Sequence, residues 1–163
     1  MSATPGKIIK IALPVLLVMV IVLVLAAPIG PMPGVIIGGI ETPVPEAWPD
    51  TSQIDEIRLE VPGVIPRVVI IWVIEHQSEL YVVGSRSSGW VRMLDQGGPV
   101  KVRILENTYA VEAAIVTEGQ RPVLEDYMNK YRADYPEIVN GFPSIEEGAD
   151  SFSLFRLERP DTD

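Results

Sequence analysis

Residues 67–85 read RVVIIWVIEHQSELYVVGS. Val, Ile and Trp crowd the first part, and Leu80 to Val83 repeat the pattern after a short polar break. β-Branched and aromatic residues fit the pleated surface of a sheet, so the stretch predicts two strands, 67–75 and 79–85. The break HQS, 76–78, is short enough for a hairpin, so the two strands run antiparallel. The run VVIIWVI has no alternation with polar residues. A strand of that composition suits burial on both faces, with Trp72 as a core residue.

Working outward, four more strand-like runs complete a mainly β domain. IDEIRLEV (54–61) precedes the hairpin and is separated from it by the turn signal PGVIP. PVKVRIL (99–105) alternates Val100, Val102 and Ile104 with Lys101 and Arg103, which predicts one dry and one wet face. TYAVEAAIV (108–116) follows the turn EN, and SFSLFRLE (151–158) closes the series. One helix is expected over 118–135. Pro122 falls near its first turn, where the missing N–H costs least. Val123, Leu124, Tyr127, Met128 and Tyr131 fall at helical spacing on one face, and Pro136 stops it. Six mostly sequential antiparallel strands, a late helix and a returning strand predict a small barrel of residues 51–160.

The N-terminal part differs in kind. No charged residue occurs between Ile11 and Ile40, and IALPVLLVMVIVLVLAAPIG (11–30) is as long as a bilayer-spanning helix requires, roughly 20 residues. A cleaved signal peptide is the rival reading, but the apolar run is longer than a typical signal core. Lys7 and Lys10 precede the segment, and no further Lys or Arg follows until Arg58. The positive-inside rule therefore predicts a single-pass membrane protein, with residues 1–10 cytoplasmic and the C-terminal domain extracytoplasmic. Residues 31–50, rich in Pro and Gly, read as a spacer. Within it, the apolar GVIIGGI reads as membrane-proximal padding, with lying in the interface or packing on the domain as the alternatives.

Composition excludes several functions. All 22 acidic residues lie at or after Glu41, and the chain carries a net charge of −9. Such a surface repels the nucleic-acid backbone. With no cysteine there is no thiol chemistry, and neither a nucleophile elbow nor a Walker loop is present. His76 is the single histidine, and nothing supplies metal-ligand partners for it at recognisable spacing.

The remaining candidate is the loop GSRSSGWVRML, 84–94. Ser85, Arg86, Ser87, Ser88 and Arg92, together with Arg67, could supply hydroxyl, backbone and guanidinium donors to an anion. Trp90 could wall a ring site; equally, it could pack a short helix onto the sheet. The same residues on a hydrated connection, with arginines paired to carboxylates, are the bland alternative.

The order of elements resembles the split-barrel family related to pyridoxamine phosphate oxidases, and most closely its deazaflavin-dependent nitroreductase branch. WVRML (90–94), GPVKV (98–102) and LFRLER (154–159) occupy the slots of that branch's W-Y-x-N-L, N-P-x-V-x-V and V-V-L-E-R patterns. VPGVIPR (61–67) stands where the branch carries K-S-G-x-x-R, keeping Gly63 and Arg67 and losing the Lys-Ser pair. Met93 and Gly98 replace two asparagines. The resemblance implies a six-stranded split barrel, pairing into homodimers, that holds FMN or the deazaflavin F420 and acts as an oxidoreductase on a small molecule. By this resemblance Arg67, Ser85, Arg86, Ser87, Ser88 and Arg92 hold the phosphate with Trp90 nearby. Haem is a further possibility within the family, with His76 the one histidine available. A cofactor-free binding or structural module at the membrane surface is the alternative, favoured by the missing Lys-Ser pair.

Overall fold

The computed structural model describes residues 14–20, 22, 27–148 and 150–160. From Ile40 onward the elements are β1 Ile40–Glu41, β2 Glu56–Val61, β3 Arg67–His76, β4 Glu79–Ser85, α1 Gly89–Leu94, β5 Gly97–Ile104, β6 Asn107–Val116, α2 Gln120–Arg132, α3 Pro136–Asn140, α4 Ile145–Gly148 and β7 Phe152–Glu158. Hydrogen bonding runs β6-β5-β2-β3-β4-β7, and β7 pairs back onto β6. Every pairing in that ring is antiparallel. Six strands therefore close into a barrel, and closure leaves no edge within the ring to recruit another chain.

The alternation read from the sequence sorts side chains as expected. Ile57, Leu59 and Val61 of β2, Val100, Val102 and Ile104 of β5, and Phe155 and Leu157 of β7 fill the barrel. Trp90, Val91 and Leu94 of α1 join the same core, so this short helix is held by its apolar side. A second apolar layer lies outside. Val123, Tyr127 and Tyr131 of α2 pack on Ile74, Tyr81 and Leu154. Trp72 belongs to this outer layer, stacked on Tyr131 with centroids 4.2 Å apart and planes 11° from parallel. Burial of β3 on both faces is met only in part: Val73 and Ile74 are buried on opposite faces, while Val69 to Trp72 are half-buried, and Trp72 helps seat the helix rather than filling the barrel.

Local chemistry explains the boundaries. The β3–β4 hairpin turns through Gln77 and Ser78, both at positive φ (52° and 65°). A two-residue turn of that shape matches strand twist. α2 is shorter than the expected 118–135 because Tyr135, which precedes Pro136, adopts φ −130° and ψ 51°. The proline ring clashes with a helical residue before it. Lys130 near the end of α2 donates to the carbonyls of Thr51, Ile54 and Val73 at 2.7–2.9 Å, bracing the helix to the barrel wall.

The stretch 31–50 is not a free spacer. Gly34 exchanges two backbone hydrogen bonds with Val68, at 2.8 and 2.9 Å. β1 adds to β6 as a short parallel strand. Ile37 and Trp48 are buried, and Trp48 sits edge-on to Tyr109. Proline density forbids a helix or central strand, but not a chain laid along a barrel, where only some N–H groups need partners. GVIIGGI is therefore not the membrane-proximal padding expected: through Gly34 and Ile37 it packs against the domain.

The expected anchor, 11–30, lies partly outside the described residues. Residues 14–20 are helical, and Val15 to Val20 are exposed. Among the described residues no helix is long and apolar enough to cross a membrane.

Candidate functional site

The loop between β4 and α1 is held by its own hydroxyls. The Ser88 Oγ donates to the Ser85 carbonyl at 2.7 Å, and the Ser88 amide donates to the same oxygen at 2.9 Å. Ser85 and Ser87 share a hydrogen bond between their Oγ atoms at 2.8 Å. These local contacts compete with helix and make serines natural in a tight turn. The loop then enters α1, whose Trp90 ring lies against Gly84. A Cβ built on Gly84 would stand 2.1 Å from Trp90 Cζ2. Trp90 also approaches Phe155, centroids 5.7 Å apart, and is 5% exposed. Its ring is thus a structural wedge, with only its rim near solvent.

The seven candidate residues fall into separate places. Arg67, Ser88 and Trp90 line one cleft of about 220 Å³, together with Gly89 and the sheet residues Val69, Ile70 and Ile71. The chain at Gly30–Pro33 borders it on the other side. Arg86 is turned elsewhere: its amide donates to the Ser151 carbonyl and its Nε to the Phe152 carbonyl at 3.2 Å. It ties the loop to the start of β7. Ser85 borders a different cavity, beside α2. Ser87 is exposed, and Arg92 is exposed on α1. The seven therefore do not converge on one point.

Arg67 is the distinctive member. It begins β3, and its guanidinium lies flat against Gly89, with the carbon and both terminal nitrogens 3.0–3.2 Å from where a Cβ of residue 89 would be. Glycine at 89 is what admits it. Its Nε is buried and has no hydrogen-bond partner among the described residues. None of the ion pairs among the described residues uses Arg67. In a chain of net charge −9, a buried guanidinium nitrogen without a partner among the described residues calls for an explanation.

His76 stands apart from the cleft. Its Nδ1 lies 2.6 Å from Asp126 Oδ2, and the ring meets Tyr81 edge-on. It fastens the hairpin to α2, and the geometry gives it no ligand-facing position at Arg67. The sequence offered no means of separating Arg67 from Arg86, since both look equally free in one dimension. The Gly30–Pro33 border of the cleft was also missed, because it lies in the stretch read as anchor and spacer.

Several solved structures match the barrel, two of them as follows. The haem storage protein HutZ from Vibrio cholerae superposes with a TM-score of 0.51 at 17% identity, over 68% of this chain and 86% of its own. A candidate 5-nitroimidazole antibiotic resistance protein from Bacteroides thetaiotaomicron gives 0.50 at 14% identity, over 68% and 75%. The fold is a split barrel. No protein-family model matches the chain, and no curated protein matches it significantly. At these identities the likeness concerns the fold, and the split barrel itself carries no activity with it. What this split barrel does is argued from Arg67 and its surroundings.

Proposed function

We propose that this split barrel binds a flavin-type, phosphate-bearing cofactor, FMN or F420, with Arg67 as the phosphate grip, and serves as an oxidoreductase of the nitroreductase kind. The observation that carries this reading is the unpaired, part-buried guanidinium of Arg67 in a cleft with Ser88 and Gly89. A planar guanidinium suits bidentate contact with phosphate, and burial strengthens such a bond. Fit is good at the phosphate end and limited at the ring end. Ser88 has committed its proton to the Ser85 carbonyl, so it borders the anion rather than donating to it. Trp90 has its faces occupied by Gly84 and Phe155, so it edges the ring rather than stacking under it. A cleft of about 220 Å³ is smaller than the roughly 300–1,000 Å³ of ordinary ligand sites. The ring system therefore lies beyond it, against a second copy of the chain in a homodimer. When bound, such a cofactor supplies the hydride chemistry, and the chain contributes grip and orientation.

The proposal extends to placement. The exposed apolar residues from Val15 to Val20, with Val22, suit insertion in a bilayer, with the barrel on the extracytoplasmic side. A cofactor-free module at the membrane surface is the second reading. It is favoured by Gly30–Pro33, which narrow the cleft on the side a ring would enter.

A visible absorbance spectrum of the full-length protein from its native host tests the first reading. Bands of bound flavin or deazaflavin are expected, with a two-chain mass by light scattering. Arg67→Ala should lower affinity for added cofactor at least ten-fold, and Arg86→Ala by much less. A colourless protein that takes up neither FMN nor F420 would leave the cofactor-free module in its place.

A further inference from the structure

A second cavity, of about 310 Å³, lies between the outer face of β4 and β7, helix α2 and the residues Phe142, Pro143, Ile145 and Ser151. Gly84, Leu124, Tyr127, Met128, Phe142 and Phe152 are among its walls. It shares no lining residue with the Arg67 cleft. Three hydroxyl residues, Ser85, Ser151 and Tyr127, border it, and among the described residues no Asp, Glu, Lys, Arg or His does. Burial pushes the Tyr127 phenol well above its ordinary value, so that group stays neutral across the physiological range.

Ser85, Phe142, Pro143 and Ser151 are exposed, so the cavity opens to solvent, and its mainly apolar walls hold water poorly. A cavity of about 150 Å³ lined by aliphatic and aromatic side chains holds one benzene ring. Twice that volume suits a fused two-ring molecule. A charged ligand is disfavoured, because its ion would lose water without gaining a partner. Hydroxyls at the wall suit a single polar substituent. From volume, lining and neutrality, we propose that this cavity is a binding site for an uncharged bicyclic aromatic molecule bearing one hydroxyl or carbonyl group. The site is independent of the cofactor reading and stands whether or not Arg67 holds a phosphate.

The probe is 2-naphthol, titrated at pH 7 into the full-length protein and followed by its fluorescence and by the thermal midpoint. Saturable binding with a rise in midpoint is expected. 2-Naphthoate, the same rings carrying a charge, should bind at least ten-fold more weakly. Met128→Trp, which fills the cavity from the helix side, should weaken 2-naphthol at least ten-fold while leaving the circular dichroism unchanged. Val83→Phe fills it from the sheet side and replaces the first variant if that one does not fold. Arg67→Ala should leave 2-naphthol binding as it is, which separates this site from the anion cleft. Absence of saturable binding, equal affinity for the naphthoate, or undiminished binding in a folded, filled variant would overturn the proposal.

Discussion

Gly84 is required by what lies above it. It is buried in β4, and the Trp90 and Val91 side chains occupy the volume a Cβ would need, at 2.1 and 2.6 Å. Neither neighbour can move far, since both belong to the barrel core. Gly84→Ala is expected to destabilise the fold by about 1–3 kcal/mol, the usual cost of overpacking a filled interior. Urea denaturation measures it, and an unchanged midpoint would mean that α1 lifts off the barrel easily. Arg67 illustrates a second residue-scale lesson. Gly89 lets its guanidinium lie against backbone, and among the described residues no carboxylate pairs with it.

Among the elements, β1 is the least secured. It is two residues long, pairs parallel to β6, and is exposed on both residues. Lys101 beside Glu41, at 2.7 Å, holds the Glu41 carboxyl below its ordinary value of 4.5. A depressed carboxylate contributes stability above its unfolded value and loses it as pH falls through the folded one. The β1–β6 pairing should therefore loosen progressively below pH 4.5, and also at high salt, because the pair is open to solvent. Hydrogen exchange at the Ile40 amide, bonded to the Glu106 carbonyl at 2.8 Å, reports it. Exchange that does not change on acidification, or in Lys101→Met relative to the parent, would assign no role to the pair.

For the whole molecule, the N-terminal stretch is part of the barrel's stability. Trp48 is 8% exposed, and with Val44 it belongs to the main core, although both lie before the first barrel strand. Trp48→Ala is expected to cost about 3–5 kcal/mol, as for a large aromatic deleted from a core. Circular dichroism in urea checks this; a loss below about 1 kcal/mol would return the segment to the status of a spacer. α2 is joined to the barrel in a similar way from the opposite end of the chain. The Tyr131 hydroxyl accepts from the Val73 amide at 3.0 Å and lies 2.7 Å from the Asp55 carbonyl, beside the bonds of Lys130.

The strands, their faces and the late helix were legible because each depends on neighbours in sequence. Alternation at period two places Val100, Val102 and Ile104 on one side whatever surrounds them, and Pro136 stops a helix by its own ring. The closing β6–β7 pairing could be expected only from element order, since it joins residues about forty positions apart. The candidate site was legible as a set of residue types and not as a place. That Arg67 lies against Gly89, that Ser88 gives its proton to the Ser85 carbonyl, and where α2 over β4 and β7 leaves a cavity are set by side chains that meet only after closure. Distance along the chain carries no record of those meetings, so the tertiary structure alone decided them.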